Sequence, residues 1–194
     1  MFLYYGGCDI ALGGREFEAK PLSESVKQRI GALAIFSARC RSNVERHGYT
    51  REIELIPQPE SPSRLAKQLS MLYLGMLAIG TTQKDAWRVL TKVACDCIPP
   101  VRYRALAALA NVAGELETAI VAEKIGYPST TTRRALEELE AHRVVSRRSG
   151  SEGQSAYWAV SEWGREQLAA IRSSVPEKSY ASRSCELIFR ERFP

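Results

Sequence analysis

Residues 129–134 read Ser-Thr-Thr-Thr-Arg-Arg, and a second arginine pair stands at 147 and 148. Hydroxyls and guanidinium groups are donors suited to phosphate oxygens, and an arginine can also pair with the O6 and N7 edge of guanine. If the segment from 129 to about 142 is helical, Thr132, Ala135, Leu136 and Leu139 share an inward side. The outward arc then holds Thr130, Arg133, Arg134 and Glu137. Thr130 and Thr131 fall in the first turn, where free amides and the positive end of the helix dipole favour an anion. Arg147 and Arg148 lie at the root of an expected hairpin, within reach of a nucleic-acid backbone or a minor groove. The candidate binding residues are therefore Thr130, Thr131, Arg133, Arg134, Arg147 and Arg148, and duplex DNA is the partner they suit.

The same helix carries Glu137, Glu138 and Glu140, and pairs such as Arg133 with Glu137 or Arg134 with Glu138, four apart, would serve only to solvate it. Residues 101–172 hold ten Lys or Arg against nine acids, a small excess for a DNA binder. Enzymatic chemistry has less to draw on. The chain lacks a G-x-S-x-G elbow, an H-E-x-x-H helix and a Gly-Lys dipeptide, so the G-x-x-x-x-G-K-[ST] phosphate loop is absent as well. The three glutamates are expected on one exposed helix, with no apolar pocket to raise a carboxyl pKa. Among the cysteines at 8, 40, 95, 97 and 185, only 95 and 97 are close, and two positions apart on a helix they point in opposing directions. His47 and His142 lie in unrelated segments. Neither a metal nor a cofactor is expected, and the chain reads as non-enzymatic.

The elements that must position these groups follow from periodicity. Val26, Ile30, Leu33, Cys40 and Val44 recur at helical spacing, with Gly48 as a natural stop. Residues 49–55 (YTREIEL) alternate weakly before Pro57 and Pro59, as an extended connector or short strand. Ser61 as a cap and Pro62 in the first turn open a helix that is apolar nearly all round, hence expected to be buried, and Gly80 closes it. A third helix spans about 83–98, with Leu90, Val93, Ala94 and Cys97 on one face, and Pro99-Pro100 is read as a hinge. Beyond it come a helix over 101–113, a short one over 119–125 capped by Thr118, and a tight turn at Gly126-Tyr127-Pro128. A longer helix capped by Ser129 follows. Then the period drops to two, in a hairpin of 144–148 and 156–160 with Trp158 directed into the core. Ser161 caps a last helix, 162 to about 172.

Helix, short helix, turn, longer helix, hairpin, helix is the order of a winged helix-turn-helix. The run AEKIGYPSTTTRRALEELEAHRVVSRR, with Ala122 and Gly126 four apart across the turn, resembles bacterial winged-helix regulators of the MarR and GntR types over residues 101–172. Thr132 departs from the Val or Ile usual there. The stretches YTREIELIPQPESPSRLAKQL and DAWRVLTKVACDCIPPVRYRALAAL resemble the C-terminal part of bacterial, often mobile-element-borne, ATP-binding proteins of the AAA+ kind, where a helical lid precedes a winged helix. That resemblance covers about 22–160 and implies a lid-arginine position for Arg64, which would sense a nucleotide γ-phosphate. Without the phosphate loop, this chain is not expected to be such an ATPase by itself.

With 194 residues, 45% hydrophobic and 25% charged, the composition is that of a globular protein, and a net charge of +5 permits a polyanionic partner without demanding one. The most apolar run, residues 69–80, is too short to span a bilayer, and the start MFLYYGGCDIALGG lacks a basic leader region, so the expected compartment is the cytoplasm. The expected fold is mainly α with a small β-hairpin. It divides into a lead-in (1–21), a lid-like helical bundle (22–98), a winged helix-turn-helix (99–172) and a tail (173–194). The function implied is DNA binding, as a self-associating regulator or as the C-terminal part of an ATPase-type DNA-handling protein. The alternative is a module that docks onto a separate ATPase or replication partner.

Overall fold

The computed structural model describes residues 21–149 and 155–172; the lead-in up to residue 20, the tip of the expected hairpin and the tail lie outside them. Ser23 opens the first helix, α1 (Glu24–Arg41), its hydroxyl accepting from the amide of Val26 at 3.4 Å. The helix ends at Arg41, well before Gly48. Ser42 turns into extended backbone and donates through Oγ to the carbonyl of Ala38 at 2.7 Å. The chain then makes a ribbon of two short antiparallel strands, β1 (Glu45–Arg46) and β2 (Ile53–Leu55).

The second helix, α2 (Ser63–Ala78), has Pro62 rather than Ser61 at its cap position; Ser61 Oγ meets Ser63 Oγ at 2.9 Å instead. Only Leu65, Leu69 and Tyr73 of α2 are fully buried. Met71 is 54% exposed and Ile79 just beyond the helix 70%, so the expected all-round burial does not hold. In α3 (Gln83–Asp96), Thr82 supplies the cap, accepting from the Asp85 amide at 3.1 Å. Its inward face is Ala86, Leu90, Ala94 and Cys95; Val93 and Cys97, expected inside, are exposed. The side of α3 that packs against α1 and α2 is the one that carries Leu90, Ala94 and Cys95, which leaves Val93 and Cys97 outside.

Pro100 begins α4 (Pro100–Ala110). A two-residue strand, β3 (Leu116–Glu117), leads into α5 (Thr118–Ile125), and α6 (Ser129–Ala141) follows after three residues. The strands β4 (Val145–Arg148) and β5 (Tyr157–Val160) pair antiparallel, and β3 adds to the far edge of β5, giving the order β3-β5-β4. Trp158 is fully buried on the inner face of this sheet, and its indole donates to Thr118 Oγ1 at 2.8 Å. Thr118 therefore stands inside the first turn of α5 holding the sheet, not at the cap. Ser161 caps α7 (Glu162–Arg172), accepting from the Gly164 amide at 2.9 Å. A β-carbon at Gly164 would stand 2.5 Å from the Val144 carbonyl oxygen, so only glycine lets α7 meet the sheet this closely.

The molecule is thus mainly helical with two small antiparallel sheets. Its buried side chains make one continuous core, from Ile30, Leu33 and Phe36 through Leu69, Leu90, Leu106 and Leu136 to Trp158 and Ile171. That core runs across Pro99-Pro100, because α7 returns to lie along α1. Arg29 Nε donates to the Ile171 carbonyl at 2.7 Å, and the rings of Phe36 and Trp163 stack at 6.3 Å.

Candidate nucleic-acid interface

Gly126 closes α5 in the left-handed region (φ 68°), and the Tyr127 amide donates back to the Ala122 carbonyl at 3.2 Å. Pro128 then starts α6 without a side-chain cap, so Ser129 is the first helical residue and does not act as the expected cap. The amides ahead of Thr132 have no acceptor within the helix and face outward with the exposed residues Ser129, Thr130 and Thr131. Thr132, Ala135, Leu136 and Leu139 are buried. Arg133 and Arg134 are exposed, with the Arg133 side chain 61% accessible.

The acids of α6 do not form the free, exposed row the sequence suggests. Glu137 and Glu138 are half-buried, because two arginines from outside the helix reach them. Arg46 of β1 donates to Glu137 at 2.9 Å and to the Arg134 carbonyl at 3.2 Å, and lies 3.7 Å from Glu138. Arg102 of α4 pairs with Glu138 through two nitrogens, at 2.6 and 2.7 Å. Of the anticipated pairs within the helix, Arg133 with Glu137 is present at 3.5 Å, while Glu138 is held by Arg102 and not by Arg134. Since Arg46 and Arg102 absorb the carboxylates, the positive charge of Arg133 and Arg134 is less cancelled than composition implies.

Arg102 is only 5% exposed and fully engaged: besides Glu138 it donates to the carbonyls of Cys40 and Ser42 and to Asn43 Oδ1, at 2.7–3.1 Å. The same Asn43 offers its carbonyl to His142 Nε2 at 3.2 Å. Burial holds the His142 ring below its ordinary pKa, so the neutral tautomer with its proton on Nε2 fits this contact. Arg46 and Arg102 were not singled out by sequence, and no local pattern marks them; both act across long stretches of chain.

On the sheet, Arg147 and Arg148 are exposed on β4 opposite Trp158 and Tyr157. The Arg147 guanidinium lies 5.5 Å from the Trp158 ring centre. Arg148 is committed elsewhere: it pairs with Glu115 at 2.6 Å and lies 4.6 Å from the Tyr157 ring centre. Its hydrogen bond to Glu115 raises its pKa further, and its charge is locally balanced. Of the two, Arg147 is the better placed to meet an outside anion. β4 packs against α6, and there the Arg147 charge opposes the upward pull of burial on the Glu140 carboxyl.

Arg64 is exposed in the first turn of α2. No group of three or more His, Cys, Asp or Glu among the described residues is arranged to hold a metal ion. Cys40 and Cys95 are buried apart from the exposed Cys97, and burial pushes the Cys40 thiol pKa up, away from reactivity. No helix among the described residues is long and apolar enough to cross a membrane. Comparison with protein-family models, curated proteins and solved structures finds no match to this chain.

Proposed function

We propose that the chain is a non-enzymatic, DNA-binding winged helix-turn-helix protein, with α5 and α6 as the helix-turn-helix and β4–β5 as the wing. α6 enters a major groove by its N-terminal turns, Arg133 and Arg134 contact base edges or phosphates, Thr130 and Thr131 hold a phosphate at the helix start, and the wing follows the backbone. Arg147 is the principal wing contact. Arg148 joins only by releasing Glu115.

One observation carries this reading: the outward-facing arginines of α6 stay exposed while Glu137 and Glu138 of the same helix are engaged by Arg46 and Arg102. The helix thereby presents cations toward its start, with two of its three acids engaged further along. The test is a salt titration of duplex binding with the full chain. Wild type should lose affinity steeply as salt rises. The Arg133→Ala/Arg134→Ala variant should bind about 10- to 100-fold more weakly with an unchanged melting temperature. A flat salt response would reject the proposal.

Such a protein works either as a free-standing regulator or as the C-terminal DNA-binding part of an ATPase-type DNA-handling protein. Docking onto a separate ATPase or replication partner is a second reading. It draws on the half-exposed apolar side of α2, where Met71 is 54% exposed and Ile79 70%.

A further inference from the structure

The ribbon of β1 and β2 enters the reading above only through Arg46, which fastens it to α6. Its path is set at two points. Asn43, just before β1, meets His142 beyond the C-terminal end of α6, and Arg46 meets Arg134, Glu137 and Glu138 further back along the helix. The ribbon therefore runs back along α6 and brings Arg51, in the turn at residues 47–52, beside Arg134. One guanidinium makes the connection. Arg46 donates both to the Arg51 carbonyl, at 3.0 Å, and to the Arg134 carbonyl, at 3.2 Å, so the backbones of Arg51 and Arg134 are neighbours.

The ribbon and the β4–β5 hairpin lie on different flanks. At 100° per residue, Glu138 and Arg134 fall on one flank of α6 and Glu140 on the other, with Thr130 and Glu137 between them. Arg46 holds the first flank, and β4 packs against α6 with Arg147 on the side of Glu140. The two hairpins thus flank α6, the ribbon at Arg134 to Glu138 and β4 by Glu140.

The turn itself is built. His47 Nδ1 accepts from the amides of Tyr49 and Thr50 at 3.3 and 3.2 Å, the His47 amide donates to the Glu52 carbonyl at 2.9 Å, and the Arg51 amide donates to the His47 carbonyl at 3.0 Å. Arg51 has φ 64°, a left-handed conformation that Gly or Asn adopts more cheaply, yet an arginine occupies it. Tyr49, Thr50 and Arg51 are all exposed, Tyr49 to 91%. The acids Glu45, Glu52 and Glu54 are also exposed, while Arg46 and Ile53, paired across the ribbon, are half-buried. These acids repel phosphates and leave the tip of the turn, Tyr49 to Arg51, as the part of the ribbon a nucleic acid can approach.

We infer that the β1–β2 turn is a second wing, which places Arg51, with Thr50 and Tyr49, on the DNA backbone across α6 from the β4–β5 hairpin. The inference rests on the DNA-binding reading, and the experiment separates the two. The full-length protein is titrated with a labelled mixed-sequence duplex of about three helical turns over a range of salt. Arg51→Asn removes the cation and keeps a residue at ease with positive φ, so the fold is retained. It should weaken binding about three- to tenfold and make the log–log salt slope shallower by about one. Arg51→Lys should keep the wild-type slope. If Arg51→Asn binds like wild type while Arg133→Ala/Arg134→Ala is weakened, the second wing is wrong and the DNA-binding reading stands. If the wild-type chain does not bind the duplex at all, both fall.

Discussion

Thr132 sits on the inward side of α6, fully buried, with no partner for its hydroxyl. Its shape is that of valine, so it fills the site but leaves a polar group dry. Thr132→Val should raise stability by about 1 kcal/mol, read as a higher denaturant midpoint at unchanged slope. His142 carries a second prediction. Its ring is held neutral in the fold and titrates near 6.5 when exposed, so the unfolded chain takes up the proton first as pH falls. The stability tied to this neutral ring is complete above pH 6.5 and declines below it, down through the lowered folded pKa. Unfolding midpoints should therefore drop between pH 7 and pH 5, and His142→Gln should flatten that part of the profile. The inward set Thr132, Ala135, Leu136 and Leu139 is readable from periodicity because helical geometry fixes which side each residue takes. The partners of Glu138 and His142 are not, since Arg102 and Asn43 reach them from 36 and 99 residues away.

At the scale of elements, the second half follows its sequence closely because its signals are local. Gly126 adopts the left-handed turn, Ser161 caps α7, and the period-two segments pair as β4 and β5. The capping assignments that fail, Ser61, Thr118 and Ser129, each fail by one position: Pro62 and Pro128 stand at two of the caps, and the Thr118 hydroxyl is held by Trp158. The end of α1 fails for a larger reason. Helical spacing continues to Val44, but the carbonyls of Cys40 and Ser42 are taken by Arg102, and the chain leaves the helix to form the ribbon. No pattern within residues 38–48 encodes that choice. Replacing Arg102 by Leu should thus disturb the end of α1, the ribbon and α6 together. With Glu138 left only the more distant Arg46, and two carbonyls unpaired, the expected loss is about 3–5 kcal/mol, measured by denaturant unfolding.

For the whole molecule, the consequence is that residues 22–98 and 99–172 do not pack as independent bodies. The change of pattern at Pro99-Pro100 is real in the sequence, while α7 against α1 and the Arg102 contacts carry packing across it. Formal charge also misleads at this scale. The near balance of acids and bases in residues 101–172 conceals that Arg46, from outside that range, helps neutralise α6, and that Arg148 is balanced by Glu115. The surface charge that matters is therefore set by the fold, not by the count. The most direct check is duplex affinity against salt concentration for wild type and Arg133→Ala/Arg134→Ala side by side. A steep wild-type dependence, made shallower by about two in slope by the double substitution at equal stability, is the predicted result. Equal affinities and equal slopes for the two proteins would contradict it.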